Sequence, residues 1–264
     1  KKLDLESLYT LEKKNHEQEQ ELNQERLRFY TNITHELRTP LTLILGPLED
    51  MQKETSLPAK QAQKLSVIHQ SALRLLNLIN QILEFRKTET QNKKLCVSKG
   101  NIAPLIYEIG LKYKELNQKT KIDFQIQIEK EEMLLFFDKE IITIVLDNLI
   151  SNAIKYTEQG RVTLSLYQTM RNEVAYTEIK VSDTGYGISA EALPHIFDRY
   201  YQESGKHQAS GTGIGLALVK NLVTLHEGEI RAESMQNEGS TFYISLLTDN
   251  IYPNALHADS TEPI

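Results

Sequence analysis

The chain has 264 residues, 40% of them hydrophobic and 25% charged, and 30 Lys and Arg against 36 Asp and Glu give a formal net charge of −6. That balance is globular and acidic, which excludes collagen-like and fully disordered classes and argues against a face built to cover nucleic acid phosphates. At roughly 150 residues per domain, the length points to two domains. One cysteine, Cys96, excludes an internal disulfide and a multi-cysteine zinc site. No apolar run reaches the roughly 20 residues of a membrane-spanning helix, and the charged start Lys1-Lys2-Leu3-Asp4 has no signal-peptide core. The first residue is not Met, so the chain is expected to be a piece of something larger, whose other part could hold a membrane anchor.

From Leu3 to Gly46 the only helix breaker is Pro40, and the stretch from Glu12 to Arg28 is unusually polar. This reads as an exposed connector helix. Apolar residues then fall at Tyr30, Ile33, Leu37, Leu41, Ile44, Leu48 and Met51, and after the break Lys53 to Pro58 at Leu65, Ile68, Ala72, Leu75, Ile79 and Ile82. That 3/4 spacing predicts two long helices in an antiparallel hairpin. Two helices cannot enclose such a seam, so a dimeric four-helix bundle is expected.

After Thr88 to Lys94 the pattern changes to short alternating stretches at 122–128, 162–166, 179–181 and 241–246, interleaved with helical patterns near 102–118, 139–157 and 215–226. These predict an α+β domain, one mixed sheet covered by helices. The polar end from Thr248 to Ile264, with Pro253 and Pro263, reads as a linker or frayed terminus. The expected boundaries are 1–24 for the connector, 25–90 for the hairpin, 95–248 for the α+β domain and 249–264 for the tail.

Four motifs carry chemistry. In HELRTP, His35 to Pro40, His35 lies about 160° around the helix from both Ile33 and Leu37, so it faces away from the seam. Glu36 is adjacent and Thr39 shares its face one turn on, while Pro40 loosens the helix beneath the histidine. A carboxylate beside an imidazole can hold one ring proton and leave the other nitrogen nucleophilic. In DNLISNAIKYT, Asp147 to Thr157, the side chains of Asn148, Asn152 and Lys155 form a polar line beside an apolar stripe. A carboxamide oxygen can ligate Mg²⁺ and Lys155 can meet phosphate. In VSDTGYGIS, Val181 to Ser189, Asp183 ends a strand and can accept a hydrogen bond from an exocyclic amine such as that of adenine. Gly185 and Gly187 follow it. In SGTGIGLALVK, Ser210 to Lys220, Gly211, Gly213 and Gly215 lead into an apolar helix whose first amides can bind phosphate oxygens. The polar stretch Gln202 to Ser210 before it reads as a lid. The remaining histidines are expected to be structural or solvated.

In this order, the blocks resemble the catalytic core of a sensor histidine kinase of two-component signalling. HELRTP is similar to the phosphoacceptor box, DNLISNAIKYT to the asparagine box, DTGYGI and GTGIGLAL to the two glycine boxes, FDRYYQ to the box between them, and EGSTF, Glu238 to Phe242, to the small final motif. TNITHELRTPLTLILGPLE resembles the cores of hybrid sensors. The resemblance implies a homodimeric phosphotransfer hairpin and a Bergerat-type ATP-binding α/β sandwich. It implies that His35 accepts the phosphoryl group, that Glu36 takes the imidazole proton, and that Thr39 orients water for dephosphorylating a response regulator receiver domain. Asn152 matches the Mg²⁺ ligand. Asn148, Lys155 and Tyr156 match nucleotide-lining positions, Asp183 the adenine reader, and Gly185, Gly187, Gly211, Gly213 and Gly215 the phosphate and lid region. Ile188, Arg199, Thr212 and Leu216 count among the nucleotide-binding positions, and Thr241 is expected to support Asp183 from behind. The resemblance also implies a cytoplasmic portion of an inner-membrane sensor, with Lys1-Lys2 as remnant of a positive flank.

Two rival readings are a related ATPase that hydrolyses ATP for conformational work and a dimeric adaptor that has lost transfer. Relatives that hydrolyse ATP place a Glu where Asn148 stands, and Asn cannot serve as a base. Intact Asn152, Asp183 and glycine boxes speak against the adaptor.

Overall fold

The computed structural model describes residues 37–39, 41–51, 58–89, 93–117, 121–202 and 213–258. The chain divides into two compact units, Lys1–Lys93 and Lys94–Ile264. His35, Glu36, Pro40, Gly211 and Thr212, and all but the first residue of the expected lid, lie outside the described residues.

In the first unit, helix α1 (residues 41–51, with 37–39 also helical) packs on helix α2 (Ala59–Glu89). Leu41 and Leu45 of α1 bury against Ala72, Leu76 and Ile79 of α2. The Arg38 guanidinium donates to Asn80 Oδ1 at 2.6 Å, and His69 Nε2 lies 3.6 Å from Glu49 Oε1. Partners that rise in number on one helix and fall on the other define an antiparallel hairpin, as the spacing predicts. The predicted seam divides in two, however. Leu41, Leu48, Leu65, Ala72 and Ile79 are buried within the hairpin, while Leu37, Ile44, Met51, Ile68 and Leu75 are exposed. No helix among the described residues is long and apolar enough to cross a membrane.

The second unit contains β1 (Cys96–Asn101), α3 (Ile102–Leu116), β2 (Ile122–Ile128), β3 (Leu134–Phe137), α4 (Lys139–Tyr156), β4 (Gly160–Arg171), β5 (Val174–Asp183), α5 (Gly215–Leu225), β6 (Glu229–Met235), β7 (Gly239–Leu247) and β8 (Leu256–His257). Five strands form a mixed sheet in the order β2-β4-β5-β7-β6, parallel between β2 and β4 and antiparallel elsewhere. One face alternates inward with Val162, Leu164, Leu166, Ile179, Val181, Ile244 and Leu246, all buried. Against it lie the apolar stripes of α3, α4 and α5, whose Ile106, Leu149, Leu218 and Leu222 are 0–1% exposed. The expected α+β class and mixed sheet are thus present.

Strands β1, β3 and β8 build a second, three-stranded sheet that the alternation alone did not announce. Residues 249–258 do not behave as the expected tail. Leu256 and His257 pair in parallel with Cys96 and Val97, and Tyr252 is 1% exposed. Its polar neighbours hid a single aromatic anchor, which supplies burial that the composition of this stretch does not announce.

On the other face of the main sheet, Glu178 is buried although it lies on the side away from the helices. It accepts hydrogen bonds from Tyr167 and Ser245 and pairs with Arg171 and Arg231. Burial pushes its carboxyl up, but these hydrogen bonds and cations outweigh that and hold it below the usual carboxylate range.

Candidate nucleotide site

Helix α4 is the spine of the site. Its start is fixed by Asp138, whose Oδ1 accepts the Ile141 N–H at 3.0 Å, an N-cap that satisfies one of the orphan amides of the first turn. Along α4, Asn148 is buried and Asn152 and Lys155 are half-buried. The Asn148 amide donates to Ile144 O at 2.8 Å, which turns its oxygen towards the first residue of α5. A β-carbon at Gly215 would stand 3.0 Å from that oxygen, so the side-chain-free position lets α5 begin against the asparagine. The Asn152 side chain makes no hydrogen bond to a described residue. The Lys155 ammonium rests 4.7 Å over the Tyr156 ring and 3.2 Å from its hydroxyl.

The C-terminal end of α4 meets the turn after β5. The Tyr186 N–H donates to Tyr156 O at 3.2 Å, and Thr157, fully buried, returns its hydroxyl to Ala153 O. Asp183, the last residue of β5, accepts the N–H groups of Gly185 at 2.9 Å and Ser240 at 3.3 Å, both on Oδ1. Its Oδ2 makes no hydrogen bond to a described residue. Burial raises the Asp183 pKa above the ordinary value, and these two amide bonds oppose the rise. Gly187 has φ +65°, and a β-carbon there would lie 2.0 Å from Met235 O, so only glycine makes this turn without displacing β6. The Ile188 N–H donates to Ser234 Oγ at 2.8 Å.

The segment between the glycine motifs is tied to the second of them, since the Tyr200 N–H donates to Gly213 O at 2.9 Å. Arg199 is exposed beside it, and Leu216 is half-buried in the first turn of α5. The structure therefore brings Asn148, Asn152, Asp183, Gly185, Gly187, Gly213 and Gly215 to one helix and its neighbours. Thr241 takes a different place from the expected one. Its hydroxyl lies 2.5 Å from Ser182 Oγ, its register partner, and the groups that hold Asp183 are the amides of Gly185 and Ser240. Ser240 and Ser234 escaped the sequence reading. The register of Asp183 opposite Ser240 is the signal for the first, and it exists only once β5 and β7 are paired.

An oriented strand-end carboxylate with one oxygen unengaged suits an adenine amine, and glycine turns at a helix start suit phosphate. A carboxamide oxygen such as that of Asn152 suits a cation that receives its negative charge from phosphate oxygens. No group of three or more His, Cys, Asp or Glu among the described residues is placed to hold a metal ion.

A strand-end carboxylate, an asparagine helix and glycine turns at one end of a helix-covered mixed sheet define an ATP-binding domain. Comparison with known families agrees: residues 137–250 match the histidine kinase-, DNA gyrase B-, and HSP90-like ATPase family, and residues 25–91 match the His Kinase A (phospho-acceptor) domain. Histidine kinase P4 of Formosa agariphila is 37% identical over 246 residues, covering 91% of this chain and 17% of that protein. Sensor histidine kinase WalK of Bacillus subtilis is 31% identical over 233 residues, covering 87% of this chain and 38% of that protein. The chain thus spans well under two thirds of the length of either relative. The crystal structure of full-length ShkA in complex with AMPPNP superposes with a TM-score of 0.65 at 24% identity, covering 82% of this chain and 45% of that one, and shares the fold. The chain belongs to the histidine kinases and carries the core of a two-component sensor histidine kinase.

Proposed function

We propose that this core transfers the γ-phosphoryl group of ATP to the imidazole of His35 and passes it to an aspartate of a receiver domain, carried on the same chain or on a separate response regulator. The observation that carries the reading is the meeting of Asn148 with Gly215. The residue that faces the start of α5 from α4 is a carboxamide, which cannot take a proton from water. The carboxylate next to it, Asp147, is engaged by the Tyr113 hydroxyl at 2.9 Å and the Lys112 ammonium at 3.1 Å. Such a site holds ATP without activating water, and the acceptor is brought by the hairpin.

In this reading Asp183 takes the adenine amine on its unengaged oxygen, while the Gly185 and Ser240 amides hold its other oxygen. Asn148, Lys155 and Tyr156 line the nucleotide, with Ile188, Arg199 and Leu216 near them. The glycine turns, with Gly211 and Thr212 of the lid region, admit the phosphates. Asn152 would hold Mg²⁺, which when bound offsets phosphate charge. Glu36 takes the imidazole proton during attack. Thr39, which is exposed, would orient water when the core dephosphorylates its receiver.

The partner on the hairpin side is a second copy of the chain. Leu37, Ile44 and Met51 recur every seven residues on α1, as do Ile68 and Leu75 on α2, and all are exposed in one copy. Stripes at heptad spacing are buried by packing two hairpins into a four-helix bundle. Attachment to a membrane, on its cytoplasmic side, would come through segments upstream, and no part of this segment is assigned to nucleic acid.

Comparing protein-bound label with free phosphate during incubation with γ-labelled ATP and Mg²⁺ separates transfer from hydrolysis. Label is expected to accumulate on the protein while little phosphate is released. Steady phosphate release with no labelled protein would favour the hydrolase.

A further inference from the structure

Helices α4 and α5 pack side by side and run antiparallel, because Asn148 meets Gly215 at one end and Asp138 meets His226 at the other. The two meeting points are about 15 Å apart along each helix, the rise of ten or eleven residues. One end carries the candidate nucleotide residues, and the other is a buried hydrogen-bonded cluster with no part in the site described above.

The cluster is built around His226, which is fully buried and follows the last residue of α5. Its Nε2 accepts the backbone N–H of Asp138 at 3.0 Å, so that nitrogen carries no proton. A neutral ring must then hold its proton on Nδ1, which donates to the Tyr252 hydroxyl oxygen at 2.9 Å. Asp138 is itself triply engaged. Its Oδ1 caps α4, its Oδ2 accepts the Cys96 N–H at 3.0 Å, and its own N–H goes to His226. Tyr252 stacks edge-on against His226 with ring centroids 5.1 Å apart. Its φ is +46°, an uncommon backbone for an aromatic residue, with the Asn250 side chain accepting its N–H at 3.0 Å. Past Tyr252 the chain pairs with β1, where Leu256 N–H donates to Leu95 O and Ala258 N–H to Val97 O.

We propose that Tyr252, through His226 and Asp138, is a positioning residue for nucleotide binding, so that the segment after β7 holds α4 and α5 in the register that places Asn148 against Gly215. Three independent chain segments, the start of β1, the start of α4 and the strap at 248–258, all hydrogen-bond within this cluster, and α5 ends in it. A shift of one of these antiparallel helices along the other at the Asp138 end moves Asn148 past Gly215 at the other end, since both helices are stiff over this length.

The inference rests on the nucleotide reading above, and the test separates the two. In the full 264-residue chain, Tyr252→Phe removes one hydroxyl and keeps the ring. His226→Gln keeps an oxygen able to accept the Asp138 N–H, whereas His226→Leu keeps none. Affinity for a fluorescent ATP analogue and the KM and kcat of His35 labelling are measured well below each variant's melting temperature. Tyr252→Phe is expected to raise KM for ATP roughly fivefold, the scale of one neutral hydrogen bond, with kcat unchanged. His226→Gln is expected to bind the analogue more tightly than His226→Leu. If the wild type binds the analogue and Tyr252→Phe lowers the melting temperature but leaves both KM and affinity at wild-type values, the positioning role is overturned and the nucleotide reading stands. A wild-type chain that binds no analogue removes both.

Discussion

The carboxamide oxygen of Asn148 lies 3.0 Å from the point at which a β-carbon on Gly215 would stand. Gly215→Ala therefore pushes either the asparagine or the first turn of α5 by a few tenths of an ångström. Overpacking of this kind costs about 1–3 kcal/mol where neighbours cannot yield, although alanine is the better helix residue. The expected outcome is a melting temperature close to wild type with ATP affinity reduced roughly tenfold, for a cost near the low end of that range. Calorimetry alongside nucleotide titration checks both.

Asp183 spends one oxygen on two backbone amides, and the other makes no hydrogen bond to a described residue. Asp183→Asn can keep the Oδ1 contacts to Gly185 and Ser240 but puts an amide donor where the unengaged carboxylate oxygen was. ATP affinity should fall by at least tenfold, the loss of a charge-assisted hydrogen bond worth about 1.5–3 kcal/mol. Stability should move the other way. The folded-state pKa is raised by burial, so between the unfolded value and the folded one the native state holds more protons and stability decreases as pH rises. Removing the charge at neutral pH relieves that penalty, so the variant should melt above wild type in the absence of nucleotide.

His226 gives the opposite slope. Burial depresses its pKa, with Asp138 and Glu227 as the nearby acidic groups that oppose the shift. Below the unfolded histidine value of about 6.5 the unfolded chain takes up a proton that the buried ring resists, so stability is lost as pH falls. Denaturant melts between neutral and mildly acidic pH should show that loss in wild type and a flatter profile in His226→Gln.

In the proposed reading, Asn148, Asn152, Asp183 and the glycines stand out in the sequence because ligand chemistry restricts which residue types can serve, whereas α4 and β2 are legible because their apolar spacing runs unbroken. Ser240 contributes through its backbone, to which residue type gives no clue. Strand β6, Glu229 to Met235, alternates weakly in sequence because Ser234 takes an inward position and Met235 an exposed one. Tyr252 was missed because one buried aromatic among Asn, Asp, Pro and Thr does not form a period. The exposed halves of the hairpin seam were seen, but the split into a buried and an exposed stripe emerges only when the two helices are packed.

Glu178 offers a control that touches stability alone. Glu178→Ala leaves Arg171 and Arg231 without their shared carboxylate, and loss of one partner from a buried pair costs about 3–5 kcal/mol, less here because both arginines are partly exposed. The melting temperature should drop clearly while ATP affinity, measured below the transition, stays at wild type. In wild type this contribution is present above the unfolded carboxylate pKa and is lost as pH falls through the depressed folded value.

Transfer to His35 is tested most directly by incubating the wild-type chain and His35→Ala with γ-labelled ATP and Mg²⁺ and assaying protein-bound label after acid and after alkali. The wild type should carry label that acid removes and alkali does not, and His35→Ala should carry none. Equal label on His35→Ala would contradict the assignment.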